Sequence, residues 1–355
     1  MKRTHGGKRL AHPDDVLDFS TNVNCLGPPE SVRRLFAGDL TEDIASYPDP
    51  DYPALKQALS EYTGASPDRI FLSNGSVEIF YWINYLLRPR LVLVVSPSFC
   101  EYTIAGQSAD AKIIEHFLRP EDCFELNVDR ARELASAADL VVLANPNSPT
   151  GNLFPRDDIL ELASSLKPNA VLLVDEAFMD FCEERDEHTL IPFINENIWV
   201  SRSLTKFFSL AGLRIGYLVG PSDVTSRLED GTPPWRVNRF AEMASLAALS
   251  DSDFIDTIPG KTAAARERFT RSLESTSNLK PFPAAANFIL VEIEHDVLGA
   301  ARLRQLLLPR GFLIRDASSF SGLSEKFIRL CVRKEEENAA LEKELKVLVS
   351  KGESS

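Results

Sequence analysis

The sequence predicts an α/β fold built on a mainly parallel sheet. Apolar, β-branched runs recur between residues 40 and 250, and most of them lack the strict alternation of a half-exposed strand. This continuous pattern is typical of strands that are covered on both faces, as in parallel sheets. The segments between the runs, such as 156–166, are long enough to form helical crossovers.

Six short apolar runs are the predicted strands of this sheet. They lie at 69–72, 91–96, 140–145, 170–175, 198–201 and 215–219. Runs of this length that end in turn residues are typical of strands in a sheet core. Parallel neighbours need a long connection, so helices are expected between several of them.

Beyond about residue 255, strands and helices alternate less regularly. The predicted elements are a long helix at 261–276, a strand at 288–292, a helix near 298–308, a strand pair at 312–315 and 327–332, and a closing helix at 334–349. This mixture predicts a smaller α+β domain. We therefore predict a large domain at 40–250 and a small domain made of 1–39 and 251–355.

Composition narrows the class of protein. The 355-residue chain has 44% hydrophobic residues and a net charge of −13, so no basic field gathers nucleic-acid phosphates. Its apolar runs are shorter than the ~18–20 residues that span a bilayer, and the N-terminus lacks the apolar stretch of a signal peptide. Five scattered cysteines without a CxxC pair, and histidines without an HExxH spacing, indicate a cytoplasmic protein with reduced thiols and no metal site.

Lys206 and Asp175 are the centre of a predicted cofactor site. Asp175 ends an apolar run, so its carboxylate is expected at the C-terminal edge of the sheet, where α/β folds bind ligands. Lys206 follows the next predicted strand, and its amine can form an imine with an aldehyde. A carboxylate that pairs with a protonated pyridine nitrogen completes a site for pyridoxal phosphate (PLP). The alternative for Asp175 is an acid that caps the next helix.

Several groups are predicted to hold the phosphate of this cofactor. Ser203 lies three residues before Lys206 and Arg214 lies eight residues after it, and a hydroxyl and a guanidinium can together grip an oxyanion. A turn that opens a predicted helix can bind the same anion through backbone N–H groups. That turn consists of Gly75, Ser76 and Val77. Alternatively, the Asn-Gly sequence there is only a turn, and the polar residues around Lys206 are a solvated surface.

An aromatic ring and a polar turn follow two other predicted strands. Tyr102 comes after the strand at 91–96 and is predicted to stack on the pyridine ring, in preference to Phe99. A lone aromatic is otherwise a core residue. The rigid turn after the strand at 140–145 contains Asn147 and Ser148, which can present side chains to the cofactor.

These motifs, in this order, resemble the fold-type-I, aspartate-aminotransferase-like family of PLP enzymes. The likeness runs from about residue 74 to residue 329 and continues at the N-terminus. The resemblance implies a mainly parallel seven-stranded sheet, PLP as cofactor, and a homodimer with active sites at the subunit interface. It also implies that Tyr47 reaches the cofactor phosphate of the neighbouring subunit.

Within this family, the chain resembles members that act on small phosphorylated substrates. The resemblance rests on His5-Gly6-Gly7, on the segment 17–24, and on Phe178, where related aminotransferases usually have tyrosine. It implies PLP-dependent decarboxylation of O-phospho-L-threonine in cobalamin biosynthesis. Transamination of histidinol phosphate and decarboxylation of O-phospho-L-serine are the alternatives.

The same resemblance implies a substrate site. The residues that would hold the substrate phosphate are His5, Gly6, Asn22 and Arg315. Arg329 would hold the carboxylate, while Ser148 replaces an asparagine that usually contacts the cofactor and the carboxylate. Both arginines are flanked by apolar residues, so a guanidinium that points inward needs an anionic partner. Alternatively, both face solvent or pair with nearby glutamates.

Overall fold

A computed structural model describes residues 5–7 and 15–350 of the chain. The parts of the predicted small domain at 1–4, 8–14 and 351–355 lie outside the described residues. Every helix within the described ranges is too short or too polar to cross a bilayer.

Strands and helices follow one another along most of the described chain. The strands are β1 (Leu17–Asp18), β2 (Ile70–Ser73), β3 (Leu91–Ser96), β4 (Lys112–Phe117), β5 (Leu140–Ala144), β6 (Val171–Asp175), β7 (Ile198–Ser203), β8 (Gly216–Val219), β9 (Leu279–Pro281), β10 (Phe288–Ile293), β11 (Phe312–Leu313), β12 (Arg315–Asp316) and β13 (Phe327–Cys331). The helices are α1 (Glu30–Phe36), α2 (Thr41–Ala45), α3 (Pro53–Thr63), α4 (Ser76–Leu87), α5 (Glu101–Ser108), α6 (Val128–Ala135), α7 (Arg156–Ser164), α8 (Arg185–His188), α9 (Leu204–Phe207), α10 (Ser222–Gly231), α11 (Arg239–Leu249), α12 (Ser252–Glu274), α13 (Ala300–Leu307) and α14 (Glu335–Ser350).

The larger sheet has seven strands in the order β2-β8-β7-β6-β5-β3-β4. Strand β8 is antiparallel to both of its neighbours, and the other pairs are parallel. Strands β5, β6 and β7 are buried along their whole length, because helices and other segments cover both faces of the sheet. The predicted mainly parallel α/β sheet is therefore confirmed.

A second sheet has four antiparallel strands in the order β12-β13-β10-β9, and β1 pairs with β11 in a short parallel ladder. The predicted strand pair at 312–315 and 327–332 was therefore partly wrong. Phe312 and Leu313 pair with the N-terminal segment, and only Arg315–Asp316 joins β13. The two short strands are separated by Ile314, which is fully buried.

Two other elements differ from the sequence prediction. Strand β4 was not predicted, because its Lys, Glu and His residues interrupt the apolar pattern. It lies at the edge of the large sheet, where charged residues are common. Helix α12 begins at Ser252 rather than at residue 261, capped by Asp251, whose side chain accepts a hydrogen bond from the Phe254 N–H.

The topology brings several chain segments to one edge of the large sheet. Strands β5, β6 and β7 are parallel, so their carboxyl ends meet there. Helix α4 begins directly after β2, which places its N-terminus beside them. Strand β13 contributes Arg329 from the second sheet. The boundaries of the two domains at residues 40 and 250 stay a prediction.

Candidate active site

A cavity of about 270 Å³ opens at this edge of the large sheet, between the two sheets. Most of the predicted site residues line it. They are His5, Gly6, Asn22, Ser76, Val77, Tyr102, Ser148, Asp175, Ser203, Lys206, Arg214, Arg315 and Arg329. These residues come from the N-terminal segment, from the large sheet and from β12 and β13, so folding assembles the cavity from distant parts of the chain.

Asp175 is buried at the end of β6, with 7% of its surface exposed. Its Oδ2 accepts a hydrogen bond from the Tyr102 hydroxyl at 2.6 Å, and its Oδ1 accepts one from the Ala177 N–H at 3.2 Å. Burial raises the pKa of Asp175 to about 6, although both hydrogen bonds act in the opposite direction. A carboxylate with this pKa is ionised at neutral pH and can bind a protonated ring nitrogen.

Lys206 lies in α9, directly after the strand that ends at Ser203. Burial, together with the positive charges of Arg329 and Arg214, lowers the pKa of Lys206 to about 8. A lysine with this pKa has a substantial neutral fraction near neutral pH. The neutral amine is the form that attacks an aldehyde.

A compact group of oxyanion donors surrounds the start of α4. The Ser203 hydroxyl lies 2.7 Å from Thr205 Oγ1, and both side chains are buried. Gly75 precedes the helix with φ of +79°, and a Cβ there would lie 2.4 Å from a guanidinium nitrogen of Arg214. The glycine therefore lets Arg214 approach the helix N-terminus. Helix N–H groups, hydroxyls and a guanidinium are groups that can bind a phosphate, and we call this cluster the phosphate cradle.

Gly216 supports the same cradle from β8. A Cβ on Gly216 would lie 2.3 Å from the backbone nitrogen of Ser76. Only glycine allows the strand to approach the first turn of α4 this closely. The segment 212–216 thus contacts the start of α4 at two places: Arg214 approaches Gly75, and Gly216 approaches Ser76.

Arg329 and Arg315 are neighbours across two strands. They are register partners in the ladder between β12 and β13, and each has less than a tenth of its surface exposed. Arg329 donates to Ser148 Oγ at 3.1 Å and to the Ser20 carbonyl at 3.1 Å, while its Nε has no partner among the described residues. Burial, together with the charge of Arg315, lowers the pKa of Arg329 to about 9. Such a pair favours anionic ligands.

The N-terminal segment closes one side of the cavity. A Cβ on Gly6 would lie 2.2 Å from the Ser20 carbonyl oxygen, so the chain passes very close to this residue. The His5 ring packs 5.9 Å from the Phe99 ring, with its Nε2 3.6 Å from Glu101 Oε1. Asn22 is buried, and neither of its side-chain amide atoms has a partner among the described residues. A buried amide in this state needs a polar ligand.

Three predicted site residues do not line the cavity. Gly75 lies just behind it, against Arg214. Asn147 is buried, and its amide donates to the Pro97 carbonyl and to Thr150 Oγ1, so it braces the turn. Tyr47 is 79% exposed and packs on Trp235 with ring centroids 4.8 Å apart.

The structure adds residues that sequence reasoning missed. Thr205 contributes a second hydroxyl to the phosphate cradle. Ser319 accepts a hydrogen bond from Arg315 at 2.7 Å, and the Phe320 ring lies 5.1 Å from the guanidinium carbon of Arg315 and 5.8 Å from that of Arg329. The sequence could have indicated Thr205, because this residue lies between Ser203 and Lys206. The other two lie in an irregular loop without a recognisable pattern.

A buried ion network lies behind the cofactor site. Arg202 pairs with Glu176 at 2.8 Å and with Asp180 at 2.7 Å, and all three side chains are nearly inaccessible to solvent. Both carboxylates raise the pKa of Arg202, so it keeps its charge despite burial. Because Glu176 follows Asp175 and Arg202 precedes Ser203, the network fixes the ends of β6 and β7 relative to each other.

The fold and the cavity define an enzyme of the fold-type-I class, with a lysine, a carboxylate and a phosphate cradle at the edge of the sheet. Residues 14–345 match the family model described as aminotransferase class I and II. The chain belongs to this family, whose enzymes depend on PLP. Its own residues fit that cofactor, because Gly75 leaves room for Arg214 at the helix start and Asp175 is buried opposite the cradle.

Several proteins are similar to this chain over most of its length. A threonine-phosphate decarboxylase of Salmonella typhimurium is 35% identical over 93% of this chain and 90% of its own length. L-threonine-O-3-phosphate decarboxylase of Porphyromonas gingivalis has a TM-score of 0.83 at 27% identity, covering 94% of this chain and 99% of that chain. Histidinol-phosphate aminotransferase of Sinorhizobium meliloti, solved in complex with pyridoxal-5'-phosphate, has a TM-score of 0.82 at 25% identity, covering 92% and 89%.

Proposed function

We propose that this enzyme decarboxylates O-phospho-L-threonine to (R)-1-amino-2-propanol O-phosphate, a reaction of cobalamin biosynthesis. The observation that supports this proposal best is the pairing of Arg315 with Arg329 across adjacent strands. Side chains in such a pair are about 5 Å apart at Cβ. Two neighbouring cations suit one substrate that has two anionic groups separated by a few bonds, as a phosphorylated α-amino acid has.

The charges around the cavity agree with such a substrate. Among its lining residues, Lys206, Arg214, Arg315 and Arg329 have basic side chains and His5 adds an imidazole, whereas Asp175 is the one carboxylate in the lining. A cavity with this excess of basic groups favours anionic ligands. The cofactor phosphate, the substrate phosphate and the substrate carboxylate would balance it.

The chain's own residues would hold PLP at both ends. Lys206 would bind it through the amine, and Asp175 would bind the protonated pyridine nitrogen. The phosphate would lie in the cradle of Ser76, Ser203, Thr205 and Arg214, close to the Val77 N–H. When bound, PLP supplies an electron sink for the charge left on Cα after a bond to it breaks.

Orientation of the substrate would decide which bond breaks. Arg329 would bind the substrate carboxylate, and His5, Gly6, Asn22 and Arg315 would bind the phosphate. Two fixed anionic groups restrict rotation about the bonds of Cα. The orientation imposed by these residues would therefore decide which bond to Cα is cleaved.

Proton delivery would complete decarboxylation. The bond between Cα and the carboxyl carbon breaks, CO₂ leaves, and Cα needs a proton in its place. Lys206 has a pKa of about 8 and can therefore carry that proton near neutral pH. Phe178 and Phe320 line the same cavity and would restrict water access to Cα of a bound substrate.

Transamination of histidinol phosphate is the second candidate, because an enzyme of that activity shares the fold over most of the chain. The same lysine, carboxylate and phosphate cradle would serve it if the substrate were oriented for cleavage of the Cα–H bond instead. Decarboxylation of O-phospho-L-serine is a narrower alternative, since one methyl group gives only about 10- to 200-fold discrimination.

We also propose a homodimer with shared active sites. Tyr47 does not line the cavity of its own chain and is exposed together with Ile44 and Trp235. Arg214 is exposed at the opening of its own cavity. A second subunit that covers both places would bring its Tyr47 to the phosphate cradle. Sedimentation velocity of the purified protein, with the Tyr47→Ala variant alongside, tests this assembly.

A substrate panel tests the reaction directly. Purified holoenzyme is incubated separately with O-phospho-L-threonine, O-phospho-L-serine and histidinol phosphate, the last with 2-oxoglutarate. We expect CO₂ and the phosphorylated amine from phosphothreonine at the highest kcat/KM. Turnover of histidinol phosphate alone would reject decarboxylation, and preference for phosphoserine would change the assigned substrate.

A further inference from the structure

The edge strand β4 of the large sheet contacts the loop 317–323, which follows β12 of the second sheet. The contact is made by the carboxylate of Glu115. Its Oε1 accepts a hydrogen bond from the Ser96 hydroxyl at 2.7 Å, and its Oε2 accepts one from the Ser321 hydroxyl at 3.0 Å. One carboxylate therefore links the two sheets beside the cavity.

Each of these serines leads to one wall of the cavity. Ser96 ends β3 and precedes a segment whose members Phe99, Cys100 and Tyr102 line the cavity. Ser321 directly follows Ser319 and Phe320, which line it from the other side. Glu115 itself does not line the cavity, so it acts only through its neighbours.

A second contact fixes the same loop against β4. Gly322 has φ of +88°, and a Cβ there would lie 2.6 Å from the ring of Phe117. The loop therefore lies close to β4 at this residue, and its positive φ favours glycine. Within the loop, the Phe320 N–H donates to the Ala317 carbonyl and the Leu323 N–H donates to the Phe320 carbonyl, so the turn is internally ordered.

The loop in turn supports the two arginines. Ser319 accepts a hydrogen bond from Arg315, and Phe320 packs near the guanidinium groups of Arg315 and Arg329. A shift of the loop away from β4 would move both supports and admit water. The orientation of the arginines thus depends on a contact on the far side of the loop.

We propose that Glu115 is a positioning residue that holds the loop 317–323 over the cavity and thereby sets the distance between its two walls. Hydrogen bonds to a charged acceptor are stronger than neutral ones, which suits a carboxylate that joins two separate segments. This role concerns substrate binding at the site proposed above and rests on that function for the identity of the substrate. Attachment of the cofactor does not involve Glu115.

Hydrogen exchange of the loop gives a test that needs no turnover. The holoenzyme is compared with Glu115→Ala, Ser321→Ala and Glu115→Gln. The control is Glu292→Gln, which changes a partly buried carboxylate whose ion-pair partner, Lys280, lies in the same small sheet. We expect amide exchange in 317–323 to become about tenfold faster in both alanine variants, because local opening becomes easier. Glu115→Gln should recover most of the protection, since an amide can still bond to both serines.

Kinetics give the second readout. In both alanine variants, KM for O-phospho-L-threonine should rise about tenfold, the typical effect of losing one hydrogen bond to a charged group. The visible absorbance of the bound cofactor and kcat should change little. A merely structural role would instead lower the thermal midpoint and the cofactor content together.

The outcomes separate this proposal from the proposed reaction. Absence of CO₂ release by the unmodified enzyme rejects the reaction but leaves the exchange result interpretable. Unchanged exchange in Glu115→Ala, equal acceleration in Glu292→Gln, or a Glu115→Gln variant as open as Glu115→Ala overturns the positioning role. Gly322→Ala provides an independent variant, because its Cβ would push the loop away from Phe117 and should also raise KM.

Discussion

Arg329 donates a hydrogen bond from a terminal guanidinium nitrogen to Ser148 Oγ at 3.1 Å. This bond joins β13 of the second sheet to the turn that follows β5 of the large sheet. The resemblance to the family implies asparagine at this position, whereas here the hydroxyl of a serine accepts the hydrogen bond from the arginine. Ser148 therefore orients the group proposed to bind the substrate carboxylate.

Ser148→Ala removes this contact from Arg329, whose Nε already has no partner among the described residues. We expect KM for phosphothreonine to rise about fivefold to tenfold, in line with the loss of one hydrogen bond. Steady-state kinetics check this, with Ser275→Ala, at an exposed serine away from the cavity, as the matched control. Equal KM values in the two variants would show that the bond does not orient Arg329.

The pKa of Lys206 predicts how the apoenzyme recaptures PLP. Because only the neutral amine attacks the aldehyde, the capture rate should rise about tenfold per pH unit below pH 8 and level off above it. Arg329 lowers this pKa, so in Arg329→Ala the midpoint should move to higher pH. Stopped-flow absorbance at several pH values measures both curves. A midpoint that stays unchanged in the variant would contradict this electrostatic coupling.

Asp175→Asn tests the carboxylate proposed to bind the pyridine nitrogen. The amide oxygen can still accept the hydrogen bond from Tyr102, but the negative charge is lost. We expect kcat to fall at least about 100-fold, as when a single electrostatic group is removed from an active site. Tyr102→Phe is the control, because it removes the hydrogen bond between Tyr102 and Asp175 but keeps the negative charge of Asp175. A larger loss in the control than in Asp175→Asn would argue against this role.

Gly75→Ala and Arg214→Ala test the phosphate cradle from two sides. The alanine Cβ would approach the Arg214 guanidinium and must also adopt a positive φ. We expect PLP affinity to fall about 10- to 100-fold in each variant, because a charge-assisted hydrogen bond is lost or displaced. Equilibrium dialysis measures this loss, with the exposed Arg227→Ala as control. Unchanged affinity in Arg214→Ala would remove this residue from the cradle.

Much of the chemistry could be predicted because it follows strong local patterns. Asp175 ends a continuous apolar strand, Ser203 ends a strand that begins with an apolar run, and Lys206 lies three residues after Ser203. The ends of parallel strands meet at one edge, so these residues had to come together once the sheet was predicted. Strand β6 matches its apolar run to within one residue.

Other features depend on contacts that no local pattern reports. Strand β1 pairs with β11, almost the whole chain away, and two residues suffice for that ladder. Strand β4 has an exposed edge and therefore tolerates polar residues. These residues interrupt its apolar run, so the apolar pattern does not reveal the strand. Phe320 reaches the cavity only because the loop 317–323 is held on β4. Such placements are decided by tertiary packing.

The adjacency of Arg315 and Arg329 also bears on the kinds of metabolite that the enzyme would not bind. If the enzyme acts on phosphothreonine as proposed, a phosphorylated amine without a carboxylate, such as histidinol phosphate, would leave Arg329 buried without a counter-ion. A buried charge in that condition is costly, so such a molecule would be rejected even if its shape were acceptable. On the proposed function, the two strands would therefore select substrates by the distance between their two negative groups, whereas turnover of histidinol phosphate would show that they do not.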